Sequence, residues 1–170
     1  MAQSPAFVWR PMAADDLPAI QAIADRVHPD FFEAPAVLAE KFALAPEGCR
    51  VLEAEAGGLA GYVFSHPWLR GAVPALNAPL GGLPETADCW YIHDLALLPQ
   101  ARGSGAAGRC IADLVALAQK AGMARISLVA VNGSIPFWSR QGFGVVDAPH
   151  LAPKLAAYEA AARLMERPVG

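Results

Sequence analysis

No apolar run in this chain approaches the ~20 residues that a membrane-spanning helix needs, and charged residues interrupt every hydrophobic segment. The first five residues, Met1-Ala2-Gln3-Ser4-Pro5, lack a basic stretch followed by an apolar core, so no signal peptide is expected. Positive charge is scarce too. Thirteen Lys and Arg against 16 Asp and Glu give a net charge of −3, with a pI near 5.8. That argues against nucleic acid as a main partner, because phosphate backbones need a basic face. Cysteine is limited to Cys49, Cys89 and Cys110, an odd number without paired spacing. They read as reduced thiols of a cytoplasmic protein, with no metal site. No Gly-x-Ser-x-Gly elbow occurs, so no serine-hydrolase triad is expected. Repeats, low-complexity tracts and linkers are also missing.

What remains is 170 residues, 55% of them hydrophobic, with a mean hydropathy of +0.31. This suits a single domain over residues 1–170 whose core needs no disulfide or metal. Phe7 to Arg10 reads as a strand. Apolar residues at helical spacing follow from Leu17, with Asp15 or Asp16 as the N-cap. His28-Pro29-Asp30 breaks that helix, and a second runs from Ala34 to Leu44. Arg50–Glu55 and Leu59–Ser65 form a hairpin about Gly57-Gly58. His66 to Asp88 is rich in Pro and Gly but carries several large apolar residues. It reads as a structured flap near a substrate mouth or as a packed insertion. A strand from Cys89 to Leu98, a helix to Ala121 and a strand from Ala124 come next. A short helix, a further one over about Pro149–Ala156, and a last strand close the chain. A mixed sheet flanked by helices is the expected α/β architecture.

The most informative stretch is Gln100-Ala101-Arg102-Gly103-Ser104-Gly105-Ala106-Ala107, between a strand and a helix. A glycine-rich turn at a helix N-terminus offers free backbone N–H groups and partial positive charge, a natural seat for phosphate. Gly103 to Gly108 also matches G-x-G-x-x-G, the dinucleotide fingerprint. That reading, a dinucleotide-binding oxidoreductase, wants an acidic ribose ligand after the next strand. The strand there holds no Asp or Glu and ends in Asn132.

Gln100-x-x-Gly103-x-Gly105 resembles the acyl-CoA pyrophosphate loop of the GNAT N-acetyltransferase superfamily. His93-Asp94-Leu95-Ala96-Leu97-Leu98-Pro99 before it is similar to that family's fourth strand. The run from Pro136 to Gly142-Phe143 looks like its short helix closing in a Gly-Phe pair, and Ala162 to Pro168 resembles its final strand. The resemblance implies a single-domain GNAT-like mixed, mostly antiparallel sheet flanked by helices. It also implies transfer of an acetyl group from acetyl-CoA to a primary amine by direct attack. Gln100, Arg102, Gly103, Ser104, Gly105, Ala106 and Ala107 would bind the pyrophosphate. The backbone of Leu95 and Leu97 would pair with the pantetheine arm, Asn132 would contact it, and Trp138 would pack under it. The acceptor is a small-molecule amine or a peptide. Asp30, Phe31, Phe32 and Glu33 would line its site, since acid with aromatic groups suits a cationic amine.

His93 is the candidate general base, since an unperturbed imidazole titrates near neutral pH. The alternative is a strand histidine bonded to its neighbours. By the period of two, Tyr91, His93, Leu95 and Leu97 share one face and Asp94 points the other way, unless a local twist brings it in. The family often has a tyrosine that protonates the leaving thiolate, and the matching position holds Trp138. Indole N–H is no acid at neutral pH. Either Tyr91 or water supplies that proton, or the thiolate leaves unassisted. A non-catalytic acyl-CoA sensor is the alternative from another class. Apolar surface is consistent with a homodimer.

Overall fold

The computed structural model describes residues 6–170; the expectation for residues 1–5 lies outside the described residues. Seven strands form one sheet: β1 (Phe7–Pro11), β2 (Arg50–Ala54), β3 (Leu59–Trp68), β4 (Cys89–Leu97), β5 (Arg125–Ala130), β6 (Gly144–Val145) and β7 (Arg163–Pro168). Their order across the sheet is β1-β2-β3-β4-β5-β7-β6. Every neighbouring pair is antiparallel except β4 and β5. This mostly antiparallel open sheet removes the dinucleotide alternative, because a doubly wound nucleotide fold needs a mainly parallel sheet.

Five helices cover the sheet: α1 (Leu17–Val27), α2 (Pro35–Leu44), α3 (Ala106–Lys120), α4 (Ile135–Arg140) and α5 (Ala152–Tyr158). Proline stands in the first turn of α1, α2, α4 and α5, where its missing N–H costs nothing. The expected capping of α1 differs. The Asp16 carboxylate accepts from Arg10 and from the Ala13 N–H instead. Helices α1 and α2 bury Ile20, Ile23 and Leu38 against Val51, Tyr62, Phe64 and Ala96 on one face. On the other face, Cys110, Ile111 and Leu114 of α3 and Trp138 of α4 pack with Val63, Trp90, Ile92, Ile126 and Leu128. All three cysteines are buried and free.

Two elements differ in extent from the expectation and one is new. Strand β3 runs on to Trp68, because Pro67 and Trp68 pair with Trp90 and Cys89. The late helix begins as a 3-10 turn at Pro149 and ends at Tyr158. Strand β6, only two residues long, was not anticipated. The connection from Leu69 to Asp88 is tied down on both sides. Glu40 on α2 accepts from Leu80 N–H and Gly81 N–H, and Arg70 pairs with Glu166 on β7. Among the described residues, no helix is long and apolar enough to cross a membrane.

Candidate active site

Strand β4 organises the site through an irregularity in its register. Phe64 faces Asp94 and Ser65 faces Ile92, so His93 has no partner on β3. One extra residue in a strand is a β-bulge, and it breaks the period of two. The face expected to carry Tyr91, His93, Leu95 and Leu97 therefore does not exist. Asp94 and Ala96 lie across from Phe64 and Tyr62, on the side of α1 and α2, whereas Leu95 and Leu97 lie across from Val63 and Gly61. His93 and Asp94 both line one hollow, so the bulge brings Asp94 into the site.

The same point marks the end of pairing with β5. Trp90, Ile92 and Tyr91 pair with Ile126, Leu128 and Ser127, and no pair follows. Beyond it β4 keeps only β3, and a groove of about 430 Å³ opens between the strands. Leu95, Leu97, Arg102, Ala107, Asn132 and Trp138 line it. Its inner end meets a much smaller hollow of about 50 Å³ walled by Phe31, Leu76, Val129, Val131 and Tyr158. His28, His93 and Asp94 border both spaces.

Two histidine–carboxylate pairs flank the bulge. His93 Nε2 lies 2.7 Å from Glu33 Oε1, with side chains only 3% and 7% exposed. Glu33 Oε2 lies 3.7 Å from Nζ of Lys41, which is 1% exposed. His28 Nε2 lies 2.9 Å from Asp94 Oδ1, and the Tyr62 hydroxyl donates to Asp94 Oδ2 at 2.5 Å. An ionised carboxylate only accepts, so each histidine donates its Nε2–H and keeps Nδ1 free. Both Nδ1 atoms are buried without a protein partner. A buried polar atom left unpaired is costly, and a ligand atom in the hollow relieves that cost.

The charge states follow from competing forces. Burial pushes the Glu33 carboxyl up, but the facing His93 and Lys41 outweigh it and hold it below the ordinary range. Burial likewise opposes ionisation of Asp94, and the hydrogen bond and charge of His28, with the bond from Tyr62, outweigh it and hold the pKa below the ordinary range. Burial lowers His28, yet the hydrogen bond and charge of Asp94 carry its pKa above the ordinary value. For Lys41 burial dominates, and the pKa falls despite Glu33.

The glycine turn closes the outer end of the groove. Gly103 and Gly105 adopt φ of +78° and +83°, conformations that L side chains rarely take. A Cβ at Gly103 would meet nothing within 4 Å, so the space over the turn is open. Among the described residues, the N–H groups of Gly103, Gly105, Ala107 and Gly108 have no protein acceptor. The Ser104 hydroxyl is spent within the turn, donating to Ala101 O and accepting from Ala106 N–H.

The anticipated residues divide accordingly. His93, Glu33 and Phe31 meet in the inner hollow; Leu95, Leu97, Arg102, Ala107, Asn132 and Trp138 meet along the groove. Gln100, Gly103, Ser104 and Gly105 are exposed at its outer end, and Ala106 is buried under Trp9, whose Nε1–H bonds its carbonyl. Tyr91 is 1% exposed and borders neither space, so it is out of position as an acid. Asp30 borders neither, and Phe32 is 52% exposed beside a separate small hollow behind Glu33. Lys41 and Tyr158 were missed; His28 stands in the same segment as Asp30 to Glu33, which the resemblance puts at the acceptor site, and Leu76 in the Pro- and Gly-rich segment read as a flap or a packed insertion.

A family model described as the acetyltransferase (GNAT) family matches residues 17–143. No curated protein matched the sequence. Among solved structures, the loading GNATL domain of CurA from Lyngbya majuscula aligns with a TM-score of 0.78 at 14% identity, over 96% of this chain and 98% of its own. N-acetylglutamate synthase from Neisseria gonorrhoeae, complexed with coenzyme A and N-acetyl-glutamate, aligns at 0.73 and 17% identity. That alignment covers 99% of this chain but only 36% of the synthase. The GNAT family N-acetyltransferase YhbS from Escherichia coli, in complex with CoA, aligns at 0.62 and 19% identity over 100% of this chain and 85% of its own. At such identities the likeness is one of fold.

Proposed function

Because the chain belongs to the GNAT acetyltransferase family, we propose that it transfers an acetyl group from acetyl-CoA to the nitrogen of a primary amine, as one domain. The observation that carries this reading is the end of β4–β5 pairing at Ile92 and Leu128, immediately before a histidine held by a buried carboxylate.

The residues present fit acetyl-CoA. The positive-φ turn with its unpartnered N–H groups suits the pyrophosphate, and Arg102 adds charge beside it. The edge of β4 at Leu95 and Leu97 has lost its β5 neighbour, so its backbone groups suit the amides of a pantetheine arm. Asn132, with φ of 56°, stands at the end of β5, and Trp138 floors the groove. When bound, acetyl-CoA supplies an activated acetyl group on a thiol that leaves with its electron pair.

The chain's own groups do the rest. Glu33, anchored by Lys41, orients His93 and fixes Nε2–H as the donor. His93 then takes the proton of the attacking amine on Nδ1. The carboxylates Glu33 and Asp94 favour the approach of an ammonium ion. Phe31, Leu76 and Tyr158 narrow the hollow and exclude water.

Two measurements test the reading. Calorimetry with acetyl-CoA should give saturable binding, and a panel of primary amines should include one that releases CoA thiol. Binding without turnover for small amines and peptides alike would favour the acyl-CoA sensor, a reading that Trp138 in place of a tyrosine supports. Absence of acetyl-CoA binding would remove both.

A further inference from the structure

Nothing so far assigns the proton that the leaving sulfur must receive. Trp138 is 8% exposed and packs its ring on Phe137 and Phe143, and its indole N–H does not ionise usefully. Among the described residues, His28, His93, Asp94 and Arg102 are the ionisable side chains that line the groove. Arg102 does not give up a proton in a protein. Asp94 is held as a carboxylate, without a proton to donate. His93 is the base. Tyr158 sits in the inner hollow, but its hydroxyl donates to Pro74 O and burial raises its pKa.

We propose, resting on the acetyl-transfer reading above, that His28 is the general acid of this site and that Asp94 positions it. His28 follows the last residue of α1, where the helix end adds partial negative charge that favours imidazolium. It borders both the groove and the hollow, with Nδ1 buried and unpartnered. The charge of Arg102 acts on it from across the groove. The charged groups around it are Asp25 on α1, Glu33 on the following loop, His93 and Asp94 on β4, and Arg102 before α3. Tyr62 on β3 acts through Asp94. Three carboxylates face one arginine, so the imidazolium is favoured. Two histidines with opposite duties thus share one cleft, the arrangement in which an acid and a base are told apart by their neighbours.

The balance is complete. The amine lone pair forms the N–C bond, and His93 Nδ1 accepts the amine proton. The C–S bond breaks with its electron pair on sulfur, and His28 Nδ1–H gives that sulfur a proton. The products are the amide and the CoA thiol. His93 then loses a proton to solvent and His28 regains one, with no oxidant or reductant involved.

The decisive measurement needs no acceptor amine. CoA itself is bound to the protein and its thiol titrated by the ultraviolet absorbance of the thiolate, with S-methyl-CoA as the blank. An imidazolium beside the sulfur should lower the thiol pKa in the wild-type complex by about 1–3 pH units relative to His28→Gln or His28→Asn. Asp94→Asn should fall between, because His28 without its carboxylate deprotonates at lower pH. Two variants at position 28 guard against misfolding, and calorimetry with CoA checks each. Superimposable titrations of wild type and a CoA-binding position-28 variant would overturn the proposal. So would a shift produced by His93→Gln in place of His28→Gln. If no amine is acetylated, the acetyl-transfer reading fails on its own panel while this titration still decides the role of His28. Where turnover is found, the alkaline limb of kcat should move to lower pH in Asp94→Asn.

Discussion

The two halves of β4 share one strand and differ in almost everything else. From Cys89 to Ile92 the strand is paired on both sides or sealed in the core, and every residue is buried. From His93 to Leu97 it is paired on one side, and most of its residues are half-buried along the groove. The histidines near the junction show what this does. His66 lies opposite Tyr91, with its ring 6.3 Å from that of His93. Burial drives its pKa down to about 4, its Nδ1–H donates to Pro67 O, and no carboxylate faces it. His93 and His28 each hold a carboxylate and border open space. Burial alone disfavours the charged form of a histidine, and a neighbouring anion offsets that cost.

That contrast can be broken from either half. The largest effect should come from the open half: His93→Ala should lower kcat by about 10²–10⁴-fold, the span of general-base catalysis, while calorimetry shows acetyl-CoA affinity nearly unchanged. Wild-type turnover in that variant would take His93 out of the chemistry. Next, Gly103→Val or Gly105→Val strains a positive-φ position and displaces N–H groups from the phosphate. Losing one or two charge-assisted hydrogen bonds should weaken acetyl-CoA about 10–100-fold in calorimetry. Arg102→Ala leaves that amide cradle intact and should cost less. Equal affinity in both valine variants would mean the phosphate does not sit on this turn.

The closed half should respond in stability alone. Trp90→Phe removes the indole donor to Ser65 Oγ, a 2.9 Å bond inside the core. Denaturant unfolding should register a loss of about 1–3 kcal/mol, with acetyl-CoA affinity unchanged. Tyr91→Phe should be the quietest, with no change in turnover, because its ring is 1% exposed and borders neither the groove nor the hollow. A fall in turnover there would restore Tyr91 to the mechanism and erase the boundary at Ile92.

Much of this was legible in the chain. Helical spacing located α1, α2 and α3 within a few residues, and the glycine turn was read as a strand-to-helix junction. The apolar run Cys89 to Leu98 marked β4, one residue beyond its observed end at Leu97, and His93 stood out by its chemistry. The bulge was not legible, because a single extra residue leaves the alternation of neighbouring side chains looking regular. Its consequence, Asp94 on the cleft side, was open only as the effect of a local twist. Lys41 looked like an ordinary helix cation, since only tertiary packing tells that it faces a buried glutamate. Tyr91 was offered as an acid on a face that the bulge abolishes.

One carboxylate links two parts of the molecule that lie far apart in the chain. Glu33 Oε1 faces His93 Nε2, while Glu33 Oε2 accepts the N–H of Asn77 in the segment between β3 and β4. Asn77, with φ of 53°, returns its side-chain oxygen to the N–H of Ala34. The segment that supplies Leu76 to the hollow is thereby bonded to the same carboxylate that holds His93. A displacement of that segment would withdraw one hydrogen bond from the partner of His93.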